Sequence, residues 1–132
     1  MDQNNQKLAK EWFYSANSDF LYAEIGLNQE QIFPQVAFLS QQIAEKYLHG
    51  FMVLNGFKPP RVHELPKLLY ECIRINPHLE ILQDACEILS GFYFETRYPP
   101  DMHEYSKAEL ADAYAKARNI KEIIDSENKK QQ

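Results

Sequence analysis

Between Gln35 and Asn55 the chain reads QVAFLSQQIAEKYLHGFMVLN, and Val36, Leu39, Ile43, Tyr47 and Leu54 recur near helical spacing. Ala37, Ala44, Leu48, Phe51 and Met52 widen that stripe until most of the circumference is apolar. The pattern predicts a central helix that other helices must cover. Its one narrow polar face is Gln42, Glu45, Lys46 and His49, at i, i+3, i+4 and i+7. Such a strip points either out of a bundle into water or toward whatever the protein binds.

The flanking segments supply the cover. From about Lys7 to Ile25, Ala9, Phe13, Ala16, Phe20, Ala23 and Leu27 alternate steps of four and three, a seam for packing against another helix that Leu8 and Trp12 broaden. Gly26 offers a stop, although Leu27 suggests one further turn before the polar Asn28 to Gln31 connection, and Pro34 suits the first turn of the central helix. After that helix comes Gly56, followed by a stiff connector, Phe57-Lys58-Pro59-Pro60-Arg61. Leu65, Leu68, Leu69, Cys72 and Ile73 predict a third helix from about His63 to Ile75, with Pro66 in its first turn. Asn76 caps and Pro77 opens a fourth, whose stripe runs Leu79, Leu82, Ala85, Cys86, Leu89, Phe92, Tyr93, weakened near its end by Gly91. The longest non-periodic stretch inside the chain is Thr96 to Tyr105, held out of helix by Pro99 and Pro100. Ser106-Lys107-Ala108-Glu109 is a capping box, and Leu110, Ala113, Tyr114, Ala117, Ile120 and Ile124 follow as a fifth amphipathic helix. Nothing reads as a strand, so the expected fold is an all-α, five-helix up-and-down bundle.

Composition narrows the class without changing the fold. A chain of 132 residues makes one domain (1–132), large enough to bury a core without disulfides or a structural metal. Hydrophobic residues make up 45% and no flexible linker interrupts them, which leaves disorder to the ends, above all the polar tail Asp125 to Gln132. A formal charge of -5 does not attract nucleic acid or an anionic membrane through the overall field, so such a site would need a local basic patch. Cys72 and Cys86 fall on apolar helical positions and read as buried thiols of a reducing, cytoplasmic compartment. No signal peptide or membrane-length apolar run is visible.

Four short motifs in order resemble the HEPN domain family. They are Ala16-x-x-Asp19-Phe20-x-x-Ala23 on the first helix, Gln41-Gln42-x-Ala44-Glu45-Lys46-x-Leu48 on the second, Val62-His63-Glu64-Leu65 opening the third, and Arg97-Tyr98-Pro99 after the fourth. The resemblance spans nearly the whole chain. It implies a helical bundle, often homodimeric, and a nucleotide- or RNA-binding partner of a minimal nucleotidyltransferase in a two-gene, toxin-antitoxin-like module. It requires no cofactor and no membrane.

Ribonuclease members of that family carry Arg, four to six residues, then His, and here five residues separate Arg97 from His103, with Tyr105 completing a His-x-Tyr ending. An imidazole can move the proton of a ribose 2'-hydroxyl while a guanidinium holds charge on phosphate oxygens, so a metal-independent endoribonuclease toxin is the alternative. A third reading is a dimerisation scaffold. The candidate catalytic residues are Arg97 and His103; the candidate nucleotide- or RNA-binding residues are Lys46, His63, Arg97 and Tyr105. Asp19 is the nearest candidate partner for a charge on the central helix. A di-iron site is excluded by spacing, since Glu45 and His49 are one residue too far apart for Glu-x-x-His.

Overall fold

The computed structural model describes residues 2–95 and 104–131. Helix α1 spans Gln3–Leu27, α2 Gln35–Leu54 and α3 Leu65–Ile75; a 3-10 helix, Pro77–Leu82, leads into α4, Gln83–Ser90, then the single turn α5, Phe92–Glu95, and the long α6, Lys107–Lys130. No strand occurs among the described residues. This is the all-α bundle that the periodicity predicts, with the fourth segment divided into three pieces. The 3-10 start follows Asn76, whose side-chain oxygen accepts from the His78 N–H and tightens the turn.

Two helix ends depart from the expected bounds. The first helix starts at Gln3 rather than Lys7, because the Asp2 carboxylate accepts from the N–H groups of Asn4 and Asn5 and gives the polar start a cap. The last helix continues through the polar residues expected to fray and runs to Lys130. There Glu127, 7% exposed, accepts from His78 Nδ1 at 3.0 Å and fastens the end of α6 to the 3-10 helix. Gly56 is the expected left-handed stop of α2, at φ 83°. Gly26 is not a stop: it lies inside α1, close against Val36.

Helix α2 is the axis of the bundle and packs against α1, α3, α4, α5 and α6. Its Ile43, Tyr47, Leu48 and Phe51 are wholly buried among Leu65, Leu68 and Leu69 of α3, Leu82 and Leu89, and Ala117, Ile120 and Ile124 of α6. Each such side chain removed from water contributes roughly 1.5–3 kcal/mol before chain entropy is subtracted. Helix α1 presents Ala9, Ala16 and Ala23, all buried, so it lies close to its neighbour α2. Phe13 stacks at a tilt on Tyr47, ring centroids 5.1 Å apart, and Phe20 on Tyr114 of α6 at 4.9 Å.

Helix α1 comes especially near α2 at Gly50, where a Cβ would overlap the ring of Phe13. Alanine is the better helix former by about 1 kcal/mol, but overpacking a fixed aromatic costs roughly 1–3 kcal/mol, so the steric term decides. Gly50→Ala is therefore expected to lower stability in chemical denaturation. A variant at least as stable as the parent would show that Phe13 yields freely.

Candidate functional site

A buried carboxylate on α2 organises the most chemically distinctive group of side chains among the described residues. Glu45 is 7% exposed, and its Oε1 receives two donors: Gln41 Nε2 at 3.2 Å and His63 Nδ1 at 3.1 Å. Gln41, wholly buried one turn earlier, also donates to the backbone carbonyl of His63 at 3.2 Å, and Gln42 Nε2 donates to Gln41 Oε1 at 2.7 Å. Gln41 thus grips the segment before α3 through its backbone while Glu45 grips it through its ring.

The local fold explains why His63 is available. The prolines of the connector keep residues 57–64 out of helix, and α3 begins only at Leu65, whose N–H donates to Ser90 Oγ at 3.0 Å. Glu64 occupies the cap position without a side-chain cap bond. His63 is therefore not a helix cap. Its ring stacks almost parallel on Tyr93 of α5, centroids 4.2 Å and planes 12° apart, and its side chain is still 53% exposed. Two contacts fix the imidazole and leave its far edge to solvent.

His49, one turn beyond Glu45, is nearly buried, and neither ring nitrogen has a hydrogen-bond partner. Its ring meets Trp12 of α1 edge to face at 4.7 Å. Burial holds its pKa below the ordinary value of 6.5, with Glu45 opposing and His63 reinforcing that shift. Beside them Lys46 Nζ pairs with Asp19 of α1 at 2.6 Å, the partner expected from sequence.

The polar strip of α2 is thus not a solvated face. Gln42 and Lys46 are partly covered, whereas Glu45 and His49 are buried, because His63 and Trp12 close over them from distant parts of the chain. Of the four candidate binding residues, the structure brings Lys46 and His63 to adjacent positions on either side of Glu45; Tyr105 packs edge-on against Phe92 at 5.2 Å. Arg97 and His103 lie outside the described residues. Sequence reasoning did not assign site roles to Gln41, Trp12 or Tyr93. A glutamine one turn before a glutamate, on the apolar side of a helix that has little polar surface, is the signal that could have marked Gln41.

Chemically, the group is a proton acceptor rather than an anion trap. A carboxylate accepts, so Nδ1 of His63 carries the proton and Nε2 of the neutral ring is left as an acceptor. Among the described residues the neighbouring cations Lys46 and Lys67 each face a carboxylate, Asp19 and Glu64. No three His, Cys, Asp or Glu side chains among them could hold a metal ion. The buried thiols of Cys72 and Cys86 are unsuited to nucleophilic chemistry: burial pushes Cys86 up to about 12 and Cys72 higher still. No helix among the described residues is long and apolar enough to cross a membrane.

The shifted imidazole has a consequence for stability. His49 binds its proton less readily in the folded chain than in the unfolded one, so as pH falls the unfolded chain is protonated first. The stability that this group contributes is complete above pH 6.5 and is lost as pH falls from there through the folded value. The melting temperature should decline over that window in the parent and decline less in His49→Leu. An identical decline in both would remove His49 as its source.

Compared with known protein families, residues 9–129 match the HEPN domain. Among solved structures, TT1696 from Thermus thermophilus superposes with a TM-score of 0.75 at 26% sequence identity, covering 89% of this chain and 96% of that one. A comparison with proteins of curated function finds no match.

Proposed function

The chain belongs to the HEPN domain family, and from that membership we propose that it is a nucleotide- or RNA-binding partner of a minimal nucleotidyltransferase in a two-gene, toxin-antitoxin-like module. The observation that supports binding is the half-exposed imidazole of His63, locked by a buried carboxylate and an aromatic ring. A side chain ordered on both sides and open on the third is preorganised for a ligand. Lys46, Tyr105 and Arg97 are the further candidate binding residues of this reading, Arg97 for a guanidinium suited to phosphate.

A second reading, a metal-independent endoribonuclease using Arg97 and His103, is favoured by their separation of five residues in the sequence. Single-stranded RNA incubated with the protein in chelator separates the two, since metal-dependent contaminants are silenced there and an arginine-histidine mechanism persists. We expect intact RNA and salt-sensitive binding that Arg97→Ala weakens. Cleavage by the parent that falls by a factor of about 10² to 10⁴ in His103→Ala would instead establish the nuclease. Absence of both cleavage and binding would leave the scaffold reading.

The same proposal includes a homodimer. Tyr14, Leu21 and Ile25 lie at i, i+7 and i+11 on the outer side of α1 and are 79%, 55% and 46% exposed. A second copy packed there about a two-fold axis would cover them, and closed two-fold pairs are the commonest soluble oligomers. Light scattering at micromolar concentration should report a dimer for the parent and a monomer for Leu21→Glu. Parent protein that stays monomeric would remove the dimer from the proposal.

A further inference from the structure

Resting on the nucleotide or RNA reading, we propose that His63 is the residue through which the chain recognises ribose: its Nε2 accepts a hydrogen bond from a 2'-hydroxyl, and Glu45 and Gln41 hold it in that role.

Glu45 sets the tautomer. Its Oε1 lies 3.1 Å from His63 Nδ1, and a carboxylate can only accept, so the ring proton sits on that nitrogen. Turning the ring over would bring a carbon against Glu45 and forfeit the hydrogen bond. Gln41 resists displacement of the whole residue by holding the His63 carbonyl, and Tyr93 covers one face of the ring. Nε2 is therefore an acceptor at a fixed position, and no further hydrogen bond engages the ring among the described residues. It can accept from an O–H or N–H donor outside the chain, in exchange for water.

Charge decides which part of a nucleotide supplies that donor. Glu45 holds the ring and Glu64 follows it in the chain, and the lysines nearest to them among the described residues, Lys46 and Lys67, pair with Asp19 and Glu64. His49 adds no positive charge near neutrality, since burial disfavours its protonation. Among the described residues a phosphate brought here would meet a carboxylate and no unpaired cation, whereas a neutral hydroxyl meets no such penalty. The 2'-hydroxyl is neutral, is a donor, and is the group that separates RNA from DNA.

The test uses fluorescent single-stranded 12-mers of one sequence, with uracil throughout in place of thymine, as RNA, DNA and 2'-fluoro RNA. The fluoro sugar resembles ribose in shape but has no proton to donate, so it separates the hydrogen bond from backbone geometry. Anisotropy titrations should show the parent favouring RNA over both analogues by about threefold to tenfold, the range of one net hydrogen bond. His63→Ala should bind all three alike, with the salt dependence of the parent, because phosphate contacts are untouched. His63→Gln, whose amide oxygen can accept, should keep part of the preference. Equal affinity of the parent for RNA and 2'-fluoro RNA, or a preference that survives His63→Ala, overturns the assignment to His63. Failure of the parent to bind any of the three overturns the nucleotide or RNA reading on which the assignment rests.

Discussion

The constraint on which this bundle depends is that α2 must be covered on nearly every side. A helix with Ile43, Tyr47, Leu48 and Phe51 wholly buried cannot exist alone in water, and its neighbours are arranged by how closely they can reach it. Alanines at 9, 16 and 23 and glycine at 50 bring α1 near, whereas leucines on α3 and isoleucines on α6 fill wider gaps. The same demand for cover extends to the polar residues of α2. Once Glu45 and His49 lie between α1 and the connector before α3, water can no longer satisfy them, and other parts of the chain must.

His63 and Gln41 meet that demand for Glu45 and nothing among the described residues meets it for His49; a second histidine-glutamate contact, on α6, has different surroundings. In both, the carboxylate side chain is 9% exposed and the imidazole mostly open: His63 on Glu45 at 53% and His78 on Glu127 at 73%. The His78 contact joins the 3-10 helix to the last turns of α6, with Lys130 as a further partner of the same carboxylate, and its effect is to extend a helix that its polar sequence would leave frayed. The His63 contact has a second buried donor, Gln41, and an aromatic lid, Tyr93, neither of which a simple clamp requires. The exposed ring of His63 is thus held at an edge and on a face, whereas among the described residues His78 is held at an edge alone.

The fold was legible because helical periodicity and stop signals are local. The capping box at Ser106 and Glu109, the left-handed Gly56 and the apolar stripe of α6 can all be read within a few residues. What was not legible depended on partners far along the chain. Polarity placed Glu45 and His49 on an outward strip, and only the arrival of His63, eighteen positions away, and Trp12 from α1 reverses that. The His78 contact, forty-nine positions from Glu127, likewise lengthens α6 beyond the end of its apolar pattern, whereas the Asp2 cap that lengthens α1 is local. His63 and Lys46 could be picked out as candidates from motif position, and Asp19 as the nearest partner for Lys46, but the sequence does not reveal that Glu45 orients His63.

His49 shows how the site and the core constrain each other. Two buried ring nitrogens without partners cost on the order of 1–3 kcal/mol each relative to water, a large sum for a domain whose net stability is roughly 5–15 kcal/mol. An aliphatic residue there would avoid the penalty and would still pack on Trp12. The imidazole differs from an aliphatic side chain in being polar yet resistant to protonation where it is buried, one turn from the carboxylate that orients His63. A lysine or arginine in its place would compete for Glu45 and loosen the ring. A neutral, polarisable ring leaves the charge of Glu45 directed at His63, so the instability at position 49 and the order at position 63 are parts of one arrangement.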